Sequence, residues 1–154
     1  MRTKTLLLLL AFCFCTLAAS FAENPNVGSW KLNEEKSKID PGAPKTTSVV
    51  YTTEGDNYKC IVEGTDPAGN AIRNEWTGKF DGKDYAVTGD ANFDTRAVKM
   101  QDEHHYKLTS KKGGKVVMKG TIVVSPDGKS RTVATTYTDD KGKKASNTSV
   151  YDKQ

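Results

Sequence analysis

Side chains that could bind a metal or carry out catalysis occur in this sequence, but their spacing fits neither chemistry. Asp102-Glu103 is followed directly by His104-His105, which gives a run of carboxylates and imidazoles. Adjacent residues of a β-strand point to opposite faces, so these two imidazoles do not readily share one ion, and the chain has no further histidine. We therefore expect no metal site.

Nucleophilic catalysis also lacks a suitable arrangement of residues. The sequence contains no G-x-S-x-G element, and most Asp and Glu residues stand in turns, where bonds to the local backbone account for them. Cys60 alternates with Tyr58 and Val62, a pattern that favours a small buried side chain over a reactive thiol. The sequence predicts a protein that is not an enzyme and that uses no cofactor.

Arg96 is the charged residue that points most directly to a ligand. Period-two alternation places it on the same strand face as Val98 and Met100. An arginine on an apolar face needs an acidic partner or an anionic ligand, because an unpaired buried charge is strongly destabilising. Arg96 is therefore a candidate anion anchor; the alternative is that it lies at a strand end beside Asp94, or that its aliphatic stem carries the charge to solvent.

Seven short Gly/Asp-rich segments divide residues 46–151 into runs typical of β-strands. Glycine adopts positive φ, and Asp and Asn bond their own backbone, so such segments favour hairpins between successive antiparallel strands. We predict strands near 28–32, 47–53, 58–64, 71–79, 84–88, 94–101, 104–110, 115–125, 130–138 and 144–151. A meander of this length must close or stack to hide its edges, so the predicted fold is all-β, an antiparallel up-and-down β-barrel of about eight to ten strands.

The segment Asn33–Lys45 interrupts this pattern. It contains the charged run Glu34–Lys38, followed by Pro41-Gly42 and Pro44, and it shows no apolar alternation. We predict a loop at one end of the barrel, with room for one short helical turn before Pro41 at most.

The predicted interior is only partly filled. Gly64, Gly78 and Gly120 interrupt the larger inward residues, although the alternative is that these glycines permit bends of the strands. A barrel with such an interior can hold one small molecule. The side chains that we predict to contact the ligand are Tyr58, Trp76, Arg96, Met118, Tyr137 and Tyr151.

The first 22 residues predict a secretory signal peptide. Arg2 and Lys4 precede an apolar run over Leu6–Ala19, and Ser20-Phe21-Ala22 supplies the small residues of a cleavage site. The apolar run is shorter than the ~20 residues that a membrane span needs. We expect cleavage after Ala22, no membrane span in the mature chain, one β-barrel domain over residues 23–154, and a secreted or periplasmic location.

The charge balance gives no indication of nucleic-acid binding. The formal net charge of +4 falls to about +2 when Arg2 and Lys4 leave with the signal peptide. The remaining basic residues are dispersed among acidic ones rather than gathered on one face. We therefore expect neither nucleic acid nor an anionic membrane as a partner.

Two short motifs resemble those of a known superfamily. Gly28-Ser29-Trp30 resembles the G-x-W opening strand of the lipocalins and fatty-acid-binding proteins, and the segment Ser149–Lys153 resembles the closing strand of the latter. The resemblance implies a barrel of eight or ten strands around a small apolar ligand, with Trp30 as the plug of the closed end. Ser149 stands where lipid-binding proteins of this kind carry an arginine, so the resemblance implies no carboxylate anchor at that position.

Two functions are compatible with these features. The first is an exported, lipocalin-like protein that binds a small apolar or amphipathic molecule inside the barrel. The alternative is a non-catalytic interaction or structural module of the cell envelope, with a filled barrel that contacts its partner through Asn33–Lys45 or Gly89–Phe93. The volume and polarity of the interior discriminate between them.

Overall fold

The Gly/Asp-rich segments connect ten strands that pair into one closed antiparallel sheet. The computed structural model describes residues 23–139 and 141–154. The strands are β1 (Gly28–Ile39), β2 (Lys45–Glu54), β3 (Asn57–Thr65), β4 (Ala71–Gly78), β5 (Tyr85–Thr88), β6 (Thr95–Met100), β7 (His105–Lys112), β8 (Lys115–Val124), β9 (Ser130–Thr138) and β10 (Lys144–Lys153). Each strand pairs with its neighbours in sequence, and β10 pairs with β1 to close the barrel. The predicted all-β up-and-down barrel is confirmed.

The predicted signal peptide over residues 1–22 lies outside the described part of the chain. Within residues 23–139 and 141–154, no helix is both long and apolar enough to cross a lipid bilayer.

Two of the turns show how local sequence sets the strand pairing. In the β3–β4 turn, the Asp66 side chain accepts hydrogen bonds from the backbone N–H groups of Ala68 and Asn70 at 2.9 and 2.8 Å. In the β9–β10 turn, Asp139 accepts the equivalent bonds from Lys141 and Lys143 at 2.9 and 2.8 Å. Each turn also contains a glycine at positive φ, which a residue with a Cβ rarely adopts. The same aspartate-centred turn is thus used twice.

Strand β1 is longer than the sequence predicts. The expected loop over residues 33–45 is wrong, because β1 continues to Ile39 and only residues 40–44 connect it to β2. The charged run in this segment faces outward on a strand that is exposed along much of its length. A fully exposed stretch of strand has no apolar alternation, so pattern alone could not identify it.

Side-chain hydrogen bonds sustain this extension of β1. A bulge between Asn33 and Lys38 shifts the register with β10. Across the bulge, the Ser37 hydroxyl donates to the Asn33 carbonyl oxygen at 2.6 Å and accepts from the backbone N–H of Val150 at 2.9 Å. Ser37 therefore replaces ladder bonds that the bulge removes, and the seam between β1 and β10 stays closed.

The two ends of the barrel differ. One end of the barrel, which we call the plugged end, contains residues 24–27 and the β2–β3, β4–β5, β6–β7 and β8–β9 turns. The other end, which we call the open end, contains the β1–β2 loop and the β3–β4, β5–β6, β7–β8 and β9–β10 turns. At the plugged end, Phe80 from the β4–β5 connection stacks on Tyr58 with ring centroids 4.0 Å apart. Its ring also packs near Trp76 at 6.2 Å and Tyr106 at 5.3 Å. These aromatic rings fill this half of the interior.

The fourth, fifth and sixth strands form the least paired part of the wall. Strand β5 has four residues and contributes two residue pairs to β4 and two to β6. By contrast, β9 and β10 share nine residue pairs.

We expect Ser37→Ala to lower the free energy of unfolding by about 1–2 kcal/mol, because it leaves the half-buried Val150 N–H without an acceptor. Urea denaturation followed by tryptophan fluorescence measures this loss. Ser146→Ala is the matched control, since Ser146 is exposed on β10 and bonds the Thr136 hydroxyl at 3.1 Å; we expect a loss below about 0.5 kcal/mol. Equal losses in the two variants would contradict the proposed role of Ser37 at the seam.

Candidate ligand-binding site

The half of the barrel nearer the open end contains a cavity of about 380 Å³. The inward faces of β2, β3, β7, β8 and β9 supply most of its apolar wall. Apolar lining residues include Val49, Val62, Ile72, Leu108, Ile122 and Val133. Asn74, Arg96, Arg131 and Thr135 add polar groups to the same wall. The cavity therefore has the mixed lining that suits an amphipathic molecule.

Loops at the open end border the mouth of the cavity. The Asn147 amide donates to the Pro44 carbonyl oxygen at 2.7 Å and accepts from the Asp40 backbone N–H at 3.1 Å, which fixes the β1–β2 loop. The Asn74 amide donates to Asp90 at 2.9 Å and so holds the β5–β6 loop, whose Phe93 side chain is buried against the cavity. The mouth is built from loops that are tied to the barrel wall.

Arg131 lies at the floor of the cavity, above the plugged end. Its side chain is 3% exposed, and its Nη1 donates to the Asn26 side-chain oxygen at 2.7 Å. The guanidinium carbon lies 4.7 Å from the ring centroid of Trp30, 5.2 Å from that of Tyr151 and 5.5 Å from that of Tyr51. Burial lowers the pKa of Arg131. The negative faces of the three aromatic rings offset part of the free-energy cost of removing the guanidinium from water.

Trp30 completes the floor from below. It is 1% exposed, and its indole N–H donates to the backbone oxygen of Asn26 at 2.9 Å. Asn26 therefore bonds both Trp30 and Arg131, and it links residues 24–27 to the barrel interior. Trp30 lies at the plugged end, beneath the cavity, and its role as a lipocalin-like plug stays a prediction.

Arg96 extends into the cavity from β6 and is 6% exposed. Its guanidinium carbon lies 5.0 Å from the ring centroid of Phe93, and its backbone oxygen accepts the Trp76 indole N–H at 3.0 Å. Its Nε has no hydrogen-bond partner. Among the residues that the structure describes, no carboxylate oxygen lies within 4.0 Å of the Arg96 or Arg131 nitrogens.

The structure separates the six predicted ligand-contact residues into two groups. Arg96, Met118, Tyr137 and Tyr151 line the cavity. Trp76 and Tyr58 do not line it, because both belong to the aromatic packing around Phe80 at the plugged end. A direct role in ligand binding stays a prediction for all six residues.

Sequence reasoning missed Arg131, although a signal was present. Val133, Thr135 and Tyr137 alternate on the inward face of the ninth strand, and extending the same period by one step reaches Arg131. Its partners Asn26 and Trp30 lie more than a hundred residues away in sequence, so local pattern carries no indication of them.

Burial favours the neutral form of the thiol and phenol groups in the cavity wall. Burial raises the pKa of Cys60, so its thiol stays protonated, and burial likewise raises the pKa of Tyr51 beside it. Tyr151 donates to the Thr46 carbonyl oxygen at 3.1 Å, and burial raises its pKa to about 12. These groups therefore offer a neutral lining rather than a nucleophile.

The acidic and histidine run lies outside the cavity. His105 Nδ1 and Asp102 Oδ1 are 2.8 Å apart in the exposed β6–β7 turn. Hydrogen bonding to His105 lowers the pKa of Asp102. Over residues 23–139 and 141–154, no three His, Cys, Asp or Glu side chains converge as a metal site would require.

Fold and cavity together define the class of this protein as a closed ten-stranded β-barrel with an internal cavity of mixed polarity. The barrel is compatible with the calycin-like fold that the Gly28-Ser29-Trp30 motif implies. No protein-family model matches the chain, and a search of curated proteins gives no match.

We expect Asn26→Ala to lower the free energy of unfolding by about 2–3 kcal/mol, because the buried Arg131 loses its charge-assisted hydrogen bond. Asn26→Asp is the matched variant, since it keeps an acceptor and adds a compensating charge, and we expect it to be more stable than Asn26→Ala. Urea denaturation of both variants checks this order. Equal losses would show that the bond to Arg131 contributes little.

Stability should fall as the pH rises above 10, partly because of Tyr151. Its pKa is about 12 in the folded protein against an ordinary value of 10.0, so the unfolded chain releases the proton first and becomes favoured. A shift of this size corresponds to about 2–3 kcal/mol, lost between the two pKa values. Unfolding measured across this range should show a weaker pH dependence for Tyr151→Phe than for the wild-type chain. An identical dependence would contradict the shifted pKa.

Proposed function

We propose that this protein binds and carries a small amphipathic molecule inside its barrel, and that it does so after export to a secreted or periplasmic location. The observation that carries the proposal is the cavity of about 380 Å³ that the loops of the open end border. Pockets that hold small molecules typically measure about 300–1,000 Å³. This volume lies near the lower limit of that range, so it suits a single molecule of modest size.

The chemistry of the wall supports binding rather than catalysis. Apolar side chains such as Val62, Leu108 and Val133 provide most of the contact surface, and the buried thiol and phenols beside them are neutral. The described residues around the cavity contain no paired nucleophile and base. We therefore propose a non-enzymatic protein without a cofactor.

Export is proposed from the first 22 residues and is compatible with how the barrel is stabilised. Cys60 is the free cysteine of the described residues, and it is buried. Without a disulfide bond among the described residues, the barrel is stabilised by the closure of β1 on β10 and by aromatic packing at the plugged end. Such a fold does not depend on disulfide formation in its compartment.

The open interior disfavours the alternative of an interaction module with a filled barrel. In such a module the inward side chains would occupy the volume that is free here, and the surface loops would carry the function. The β1–β2 and β5–β6 loops instead border the cavity and are fixed to the wall through Asn147 and Asn74. These hydrogen bonds hold both loops around the mouth of the cavity.

A variant that fills the cavity tests the proposal. Val133 lines the cavity from the middle of β9, so Val133→Phe should occupy part of the space available to a ligand. We expect the neutral fluorescent probe N-phenyl-1-naphthylamine to bind the wild-type protein with one site per chain, and Val133→Phe to weaken that binding by about tenfold or more. Native mass spectrometry, with organic extraction of the purified protein, provides an independent readout.

Ala134→Phe is the matched control. Ala134 is the next residue of β9 and is exposed on the outer face, so the same added ring lies outside the cavity. We expect this variant to bind the probe as the wild-type protein does. The proposal would be overturned if the wild-type barrel bound no lipophile, or if both variants weakened binding equally while remaining folded.

A further inference from the structure

We propose that the ligand is an amphipathic anion whose charged group pairs with Arg96, while its apolar part packs on the valine and leucine side chains of the cavity wall. This inference rests on the proposed function and adds the chemical class of the molecule. Two buried arginines face the same cavity, and only Arg131 has a hydrogen-bond acceptor for its guanidinium among the described residues.

Arg131 is the arginine that the protein itself accommodates. Asn26 accepts its Nη1 hydrogen bond at 2.7 Å, and the faces of Trp30, Tyr51 and Tyr151 surround its guanidinium. These contacts hold its side chain against the plug. Arg131 therefore has a structural role in the ligand-free barrel, as part of the floor of the cavity.

Arg96 has no comparable set of partners. Its side chain is 6% exposed, and Phe93 supplies one aromatic face at 5.0 Å. Within the described part of the chain, none of the hydrogen bonds joins the Arg96 guanidinium to an acceptor, whereas Arg131 donates through Nη1 to Asn26; the Nε of both arginines is buried without a partner. A guanidinium with several directed N–H donors binds carboxylate or phosphate oxygens in a planar, two-point geometry.

The carboxylates nearest the cavity are already engaged elsewhere. Asp90 and Asp139 both border the mouth. Asp90 accepts hydrogen bonds from the Asn74 amide and from the Asn92 backbone N–H. Asp139 accepts the two backbone bonds that form the β9–β10 turn. Neither oxygen pair lies within 4.0 Å of Arg96, so neither forms an ion pair with it.

The position of Arg96 within the barrel favours an amphiphile over a small inorganic anion. The cross-strand register places Arg96 opposite Ser110, and Ser110 opposite Met118, which is in turn opposite Tyr137. Of these residues, Met118 and Tyr137 line the cavity at the level of the cation. On the inward faces, Leu108 lies one step and Val133 two steps closer to the plugged end, and both offer apolar surface to the cavity. A molecule with an anionic group and an attached hydrocarbon chain satisfies both surfaces.

Calorimetric titration with a matched series of ten-carbon ligands tests the inference. Decanoate and decyl phosphate supply the two anionic groups, decanol supplies the same chain without charge, and decylammonium reverses the charge. We expect both anions, or one of them, to bind the wild-type protein more tightly than decanol, and decylammonium to bind most weakly. The ratio between decanoate and decyl phosphate identifies which anionic group the site prefers.

Arg96→Met removes the charge while keeping an unbranched stem. We expect it to weaken anion binding by roughly 10- to 100-fold and to leave decanol binding unchanged. Arg96→Lys should recover part of the anion affinity, because it restores the charge without the two-point geometry. Equal losses for decanoate and decanol in Arg96→Met would overturn the inference, since the residue would then act through packing.

The thermal stability of the ligand-free variants provides a second readout, because an anion site and a structural role predict Tm changes of opposite sign for Arg96→Met. An unpaired buried cation destabilises the apo barrel, so we expect Arg96→Met to raise Tm by about 4 °C or more. A fall in Tm would show that Arg96 stabilises the fold and would count against an anion site.

The two proposals fail in different ways. If no member of the series, decanol included, binds the wild-type protein, the proposed binding function fails and this inference fails with it. If decanol binds as tightly as decanoate and decyl phosphate, the barrel carries a ligand but the anionic class is wrong.

Discussion

The pairing of β1 with β10 is the constraint on which the rest of the structure depends. Until these strands meet, the sheet has two free edges, and its inward side chains face no opposite wall. Closure brings Trp30 of the first strand beneath Arg131 of the ninth, and it places Tyr151 of the last strand beside the same guanidinium. The floor of the cavity is therefore a product of closure, and Ser37 maintains the seam where the backbone ladder is interrupted.

The two interior arginines show how one residue type serves different purposes within a single barrel. Arg131 is surrounded by rings and bonded to Asn26, so its charge contributes to joining the plug to the wall. Arg96 is almost as deeply buried, but it meets one ring and no acceptor. Replacing a buried charge with an apolar side chain often increases stability, so Arg96 is a locally unfavourable group in the ligand-free barrel. Of the two interior arginines, Arg96 therefore has the guanidinium without an acceptor among the described residues.

Much of the fold could be predicted from the sequence, because hairpin turns and strand alternation are local. The aspartate-centred turns at Asp66 and Asp139 determine their own hydrogen bonds, and alternation places Arg96 on an inward face. Strand alternation predicts whether a side chain lies on the inner or the outer face of the sheet, but not its position along the barrel axis. Tyr58 and Trp76 accordingly point inward yet lie below the cavity, where Phe80 arrives from the β4–β5 connection. The contacts of Arg131 span most of the chain, so only the closed structure reveals them.

The burial of Cys60 has a consequence for the covalent structure of the protein. Among the described residues this is the free cysteine, and its side chain is fully enclosed by the barrel. A buried, protonated thiol attacks disulfides slowly, because the thiolate is the nucleophile. Thiol–disulfide exchange should therefore be slow in the folded domain, because the Cys60 thiol is buried and the described residues contain no disulfide for a reductant to break. Its fold is equally compatible with reducing and oxidising surroundings.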